Sequence, residues 1–222
     1  MLQVVTIDGP AGSGKSTVAH LVAAGLGWRV LDTGGMYRAV TLFLLEEGIP
    51  PADREAILAG LDGLDLALDG EGQVLLAGRP VPAGRLRSPA VEQWISRVAD
   101  CSTVRRRMRA LQREAGRQGR LVAEGRDLGS VVFPDAAHKF YLEADLACRA
   151  RRRLEDFRAQ GRRDGLDRIL EEMARRDRAD LTRTDGTLVC PTDAHRIDTT
   201  RIGPEEVAAT ILDRVRGGRE GP

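Results

Sequence analysis

The stretch GPAGSGKST, Gly9 to Thr17, closes directly on the apolar run LQVVTID and constrains the fold more than any other feature of the chain. The run is rich in β-branched residues and bounded by glycine, which predicts a buried strand. The stretch KSTVAHLVAAGLG reads as a helix that ends at a glycine. Between them, Gly9, Gly14, Lys15 and Ser16 fill the pattern G-x-x-x-x-G-K-[ST], and Pro10, Ala11, Gly12, Ser13 and Thr17 complete the loop. Glycine lets backbone N–H groups close around phosphate oxygens without a Cβ in the way. The helix that follows puts its positive end at the same point. Lys15 can then reach the β and γ phosphates of ATP, and the Ser16 hydroxyl can ligate Mg²⁺.

The rest of the chain keeps that rhythm. WRVLD predicts a second short strand, and GMYRAVTLFLLEEG a helix entered at Thr33 and Gly34 and closed by Gly48, with Pro50 beyond. RLVAEG, HKFYLEA and AHRIDTT predict three more strands, and GPEEV opens the last helix with proline and acids in its first turn. Alternation of this kind predicts an α/β fold: a parallel five-stranded sheet with helices on both faces. At 222 residues the expectation is a single domain, 1–222. Two regions break the alternation. Residues 64–82 alternate apolar and polar around DGEG and predict an antiparallel hairpin, inside an insertion of about 62–99 that ends in the helix SPAVEQWISRVA. Residues 148–165, CRARRRLEDFRAQGRRDG, predict an arginine-rich helix and turn, whose charge alone fits a solvated face.

Composition narrows the function classes. The formal charge of +1 gives no global field towards nucleic acid or a membrane surface. The balance hides an asymmetry, because RRRMR and CRARRR concentrate arginine in the second half, and Lys15 and Lys139 are the only lysines. Asn is absent, which rules out the NKxD element of a GTPase switch. A heat-adapted source or a GC-biased genome accounts equally well for the arginines and the missing amides. Cys101, Cys148 and Cys190 are widely spaced and without a CxxC, which argues against a disulfide framework or zinc site. His20, His138 and His195 are as scattered and read as surface or packing residues. No charged-then-apolar leader and no apolar run of membrane-spanning length stands in the sequence, so the expected location is the cytoplasm.

The acceptor of the phosphoryl group must be sought elsewhere. LDTGGMYR ends the second strand and starts a helix, with Thr33 offering a hydroxyl and Arg38 near the helix's positive end. A helix cap and a surface cation would explain the same pair. LVAEGRDLGSVVFPDA runs from a strand into a polar turn at its carboxyl end, where ligands of parallel sheets gather. There Arg126 and Asp127 are either a local ion pair or one phosphate contact and one acceptor aimed at a base. RRDRADLTR adds Arg176, Asp180 and Arg183, with Arg176 and Asp180 spaced for a surface i,i+4 pair.

Taken together, TIDGPAGSGKST, LDTGGMYR, SPAVEQWISRVADCSTVR, AEGRDLGSVVFPDA and RRDRADLTR resemble the bacterial-type cytidylate kinases, in order from the first strand to about residue 183. That resemblance implies Mg²⁺-dependent transfer from ATP to CMP or dCMP, and a monomer is expected. It makes 62–99 a nucleoside-monophosphate-binding insertion and 148–165 a lid. It implies that Thr33 contacts the acceptor, and that Arg38, Arg126 and Arg183 hold the CMP phosphate and its developing charge. Ser96, Arg105 and Asp127 would read cytosine, Arg176 with Asp180 would hold the ribose, and Arg152 and Arg153 would approach the ATP phosphates. On this reading Lys15, Arg126 and Arg183 are the catalytic cations.

The chemistry agrees. Cytosine presents an N4 amino donor that a carboxylate accepts, whereas uracil presents an oxygen that Asp127 would repel. A phosphate acceptor is mostly dianionic at neutral pH and needs no general base. Two unit charges 4 Å apart repel by about 4 kcal/mol at an effective dielectric of 20, so cations are the requirement. The competing readings are a P-loop kinase for UMP, AMP or a metabolite, and a nucleotide-binding regulatory module with no acceptor site.

Overall fold

A computed structural model of the protein describes residues 3–159 and 161–217. The expected domain 1–222 therefore begins and ends outside the described residues, as does residue 160 within the expected lid. The elements in chain order are β1 Val4–Asp8, α1 Lys15–Leu26, β2 Arg29–Asp32, α2 Thr33–Glu46, α3 Arg54–Gly60, β3 Leu66–Leu68, β4 Val74–Leu76, β5 Arg79–Pro80 and α4 Ala83–Leu86. They continue with α5 Pro89–Asp100, α6 Ser102–Arg117, β6 Leu121–Gly125, β7 His138–Glu143, α7 Leu146–Ala159, α8 Leu166–Thr182, β8 His195–Asp198 and α9 Pro204–Gly217.

Among the described residues the main sheet has five strands, in the order β2-β6-β1-β7-β8, and every pairing in it is parallel. Its central strand β1, VVTID, is buried at every residue. Successive side chains of a strand point to opposite faces, and both faces here are covered. Val4, Leu31, Leu121 and Ala123 pack on one side with Met36, Val40 and Leu44 of α2, Val98 of α5 and Met108 of α6. Val5, Ile7, Val122 and Leu142 pack on the other with Val18 and Val22 of α1 and Val207 and Ile211 of α9. The doubly covered parallel sheet is the architecture expected from the sequence.

The 64–82 region differs in detail from the expected hairpin. It is a three-stranded antiparallel sheet, β3-β4-β5. The extra strand arises because Ala77 and Gly78 both adopt positive φ, 47° and 69°, and turn the chain back on β4. A two-residue turn with positive φ at both positions matches the strand twist, and Ala is an uncommon choice for it.

The parallel register delivers polar residues to one edge. Asp8 lies level with Gly125, Asp32 with Glu124, and Glu143 with Asp198. The carboxyl ends of β1, β2, β6, β7 and β8 thus meet along one rim, where the chain leaves each strand for a loop or helix. Asp8 is 1% exposed and accepts hydrogen bonds from Leu128 N–H at 3.0 Å and Gly129 N–H at 2.8 Å. It anchors the turn that follows β6. Burial pushes its carboxyl from 3.8 up to about 6. A raised acid gives stability that is present below about pH 4 and lost as pH rises through 6, a loss of about 3 kcal/mol. Asp180 and Glu92, both held below the ordinary range, act in the opposite sense on acidification. Comparing Asp8→Asn with the parent by chemical denaturation at pH 4 and 7 isolates the Asp8 contribution. The variant should lose less stability between the two.

Candidate active site

The loop between β1 and α1 is built as a cradle. Gly9 has φ of 148°, and an added Cβ would run into the Leu142 carbonyl oxygen of β7. Only glycine fits there. Lys15 is buried at the first position of α1, and its ammonium donates to the Pro10 carbonyl at 2.7 Å. Burial pulls Lys15 down to about 7, and the nearby Arg126 charge adds to the effect, as does Arg176. Ser13 donates to the Pro10 carbonyl at 3.0 Å, and its own carbonyl accepts from Thr199 Oγ1 at 3.1 Å. The loop opens on a cleft of about 1050 Å³. Ser16 and Thr17 stand at its edge with Gly12, Gly14 and Ala11.

Across the cleft lie the acceptor-side residues. Thr33 is buried, and its hydroxyl donates to the Glu124 carbonyl at 2.7 Å. The cap of α2 is instead Asp32, whose carboxylate accepts from Gly35 N–H at 2.8 Å. Arg126 does not pair with its neighbour Asp127, so the local ion-pair alternative falls. Its Nε donates to Asp180 Oδ2 at 3.0 Å, while Arg183 Nη2 donates to Asp180 Oδ1 at 3.0 Å. Asp180 is 4% exposed and holds these two arginines as a fork. The surface i,i+4 pair expected of Arg176 and Asp180 is therefore not formed. Arg176 makes no ion pair among the described residues, and burial, with the Arg126 charge behind it, lowers its guanidinium to about 10. It is a cation facing the cleft without a fixed partner, near Lys15.

Asp127 is 7% exposed and accepts from Arg105 Nη2 at 2.5 Å. Arg105 is 2% exposed, with its guanidinium 5.7 Å from the centre of the Tyr37 ring. Gly186, φ 75°, lies so close that a Cβ would run into that guanidinium. The loop after α8 thus closes over the pair from behind, and Asp185 stands 3.8 Å from Arg105 Nε. Ser96, on α5, lines the same cleft. The two arginines expected at the ATP phosphates diverge. Arg152 donates to Thr199 Oγ1 at 3.2 Å and to its carbonyl at 2.5 Å, and so reaches the phosphate loop through Thr199. Arg153 crosses to Glu92 of α5 at 2.7 Å.

Several positions that build the cleft and its loops escape sequence reading. Arg149 of α7 donates to the Ala11 carbonyl at 3.1 Å, to the Ala144 carbonyl at 2.8 Å and to Asp177 of α8 at 2.7 Å. It ties the arginine-rich helix to the phosphate loop. Glu124 is buried, and burial with the neighbouring Asp32 charge raises its carboxyl to about 7. Asp8, Asp32 and Glu124 have one signal in common: each is an acid at the end of an apolar run, TID, VLD and VAE.

A phosphate cradle whose lysine faces a chamber of arginines across one cleft defines a P-loop kinase. Its chamber is built to take a second, anionic substrate. The model of the cytidylate kinase family matches residues 5–217. A cytidylate kinase of Pelotomaculum thermopropionicum is 43% identical over 219 residues, covering 97% of this chain and 96% of its own. One from Symbiobacterium thermophilum is 43% identical over 217 residues, 96% of each. One from Mycobacterium leprae is 43% identical over 214 residues, 96% of this chain and 95% of its own. The chain belongs to the cytidylate kinase family. No helix among the described residues is long and apolar enough to cross a membrane.

Proposed function

We propose that the protein transfers the γ-phosphoryl group of ATP to CMP or dCMP, giving ADP and CDP or dCDP, with Mg²⁺ as cofactor. The observation that carries this reading is the coupling of the two halves of the cleft. Lys15 and Ser16 of the phosphate loop line one cleft of about 1050 Å³ together with Arg38, Arg126, Asp127, Arg176 and Arg183. Cations that repel one another at rest are arranged for anions that must be brought together.

Mg²⁺ suits the oxygens available. Ser16 offers a hydroxyl beside the phosphate loop, and Asp32 and Glu124 offer carboxylates that crowd each other. A hard oxygen set with few protein ligands is what magnesium accepts when substrate phosphates complete the shell. Bound there, it would screen the β and γ phosphates. The chain's own residues do the rest. Backbone N–H groups of Gly12, Gly14 and their neighbours cradle the donor, and Lys15 exchanges the Pro10 carbonyl for a phosphate oxygen. Arg38, Arg126 and Arg183 hold the acceptor phosphate in line, while Arg176 and Asp180 meet the ribose. Ser96, Arg105 and Asp127 select the base, with Asp127 taking the N4 amino group. Thr33 sits behind the acceptor. Arg152 and Arg153 carry charge from α7 to the two sides of the cleft and help to exclude water as it closes. Residues 62–99 and 148–165 act as acceptor-binding insertion and lid. The proposed working form is a monomer in the cytoplasm.

The test is ADP release with ATP and Mg²⁺ in the presence of CMP, dCMP, UMP or AMP. The cytosine nucleotides should show the highest kcat/KM, about a hundredfold or more over UMP. A preference for UMP or AMP rejects the assignment, and ATP hydrolysis indifferent to all four would leave only a nucleotide-binding module.

A further inference from the structure

Glu92 stands in the cleft wall and belongs to none of the assigned roles. Its two carboxylate oxygens are taken by arginines from different parts of the fold. Arg38 of α2 donates from Nε and Nη2 to Oε1, both at 3.3 Å. Arg153 of α7 donates from Nη2 to Oε2 at 2.7 Å. All three line the same cleft. Their side chains are 14%, 17% and 21% exposed for Arg38, Glu92 and Arg153, which is sheltered yet accessible to a ligand. Burial alone would raise the Glu92 carboxyl, but Arg38, Arg153 and Arg176 together hold it below the ordinary range. At neutral pH it is an anion seated among cations.

The two ends of this bridge are unequal. Charge-assisted N–H···O bonds settle at about 2.7–2.9 Å. The Arg153 end has that length, and the Arg38 end is longer and shares one oxygen between two donors. A brace meant to be permanent would have no reason to be slack at one end, whereas a bond that must be surrendered would.

We propose that Glu92 is an internal competitor for the acceptor phosphate, occupying Arg38 in the ligand-free protein and thereby setting the affinity with which a phosphomonoester binds. This rests on the reading of Arg38 as an acceptor-phosphate contact. An arriving phosphate dianion brings more charge and more acceptor oxygens than one carboxylate oxygen, and it takes the Arg38 guanidinium. Glu92 stays with Arg153, so α5 and α7 remain joined across the cleft while the acceptor is seated. The carboxylate thus weakens ground-state binding of the phosphate without touching the base.

Calorimetric titration of Glu92→Gln with CMP and, separately, with cytidine tests this. CMP should bind about tenfold more tightly than to the parent, the change expected when about 1.4 kcal/mol of competition is removed. Cytidine, which has no phosphate to compete, should bind unchanged. The thermal midpoint of the empty variant should fall, because two arginines lose their counter-charge, and its upward shift with CMP should exceed the parent's. Glu92→Asp, which keeps the charge on a shorter stem, should bind CMP with intermediate affinity and serves if the amide variant folds poorly. Weaker CMP binding in both variants, or equal shifts for CMP and cytidine, overturns the proposal and makes Glu92 a structural brace. A parent protein that binds CMP no more tightly than cytidine fails earlier, at the Arg38 reading itself, and removes the proposal with it.

Discussion

Arg126→Met should lower kcat with CMP about a thousandfold while leaving the affinity for ATP within a few-fold. The size follows from the loss of a fixed cation that stabilises charge on a phosphoryl group in flight, which is worth about 10³–10⁵ in such reactions. Arg126 sits between the two halves of the site: it donates to Asp180 at 3.0 Å and is close enough to Lys15 to depress it. Among the described residues it makes no hydrogen bond to the phosphate loop, so donor binding should survive its loss. The fold should survive as well, because Asp180 keeps Arg183 at 3.0 Å. Arg126→Lys should recover only part of the rate, since an ammonium supplies a point charge without the planar fork. Rapid-quench or coupled-assay kinetics, with ATP affinity measured separately, would check both. A kcat within tenfold of the parent would remove Arg126 from the transition state.

The second large effect is expected at Asp127. Asp127→Ala should reduce kcat/KM for CMP about a thousandfold and abolish the advantage of CMP over UMP, because a buried polar partner that reads an amino group discriminates far more than a lost methylene. ATP affinity should change much less. Part of the damage would be structural, as Arg105 is 2% exposed and loses its 2.5 Å partner, keeping the more distant Asp185 at 3.8 Å. Breaking a buried pair on one side costs about 3–5 kcal/mol. Asp127→Asn separates the effects: its amide oxygen can still accept from Arg105, while the charge aimed at the base is gone. The asparagine variant should therefore fold like the parent and still lose most of its preference for cytosine. Equal losses in ATP and CMP binding would contradict the assigned role.

These two residues also mark what the sequence could and could not convey. The phosphate loop was fully legible, because its function is carried by backbone geometry that demands glycines at fixed offsets. The main sheet was legible too, since runs such as VVTID must be buried on both faces. Partnerships were not. Arg126 is next to Asp127 in the chain yet pairs with Asp180, 54 residues away. Asp127 pairs with Arg105 from α6, and adjacency along a turn gives no sign of it. Asp8, Asp32 and Glu124 do not stand out because a single acid at a strand end matches no pattern, although the repetition of that placement on three adjacent strands is itself a signal. Glu92 was hidden for another reason: one acid on an amphipathic helix looks solvated until the helix is packed against two arginines. The third strand of the insertion is not readable from the sequence, because a two-residue strand containing Pro80 has no periodicity.

The account depends most on a carboxylate that recognises cytosine by its amino group. A crystal structure with CMP bound measures this directly. The cytosine N4 should lie within hydrogen-bonding distance of an Asp127 carboxylate oxygen, about 2.7–3.2 Å, with the phosphate among Arg38, Arg126 and Arg183. A CMP whose amino group faces solvent, away from Asp127, would contradict it.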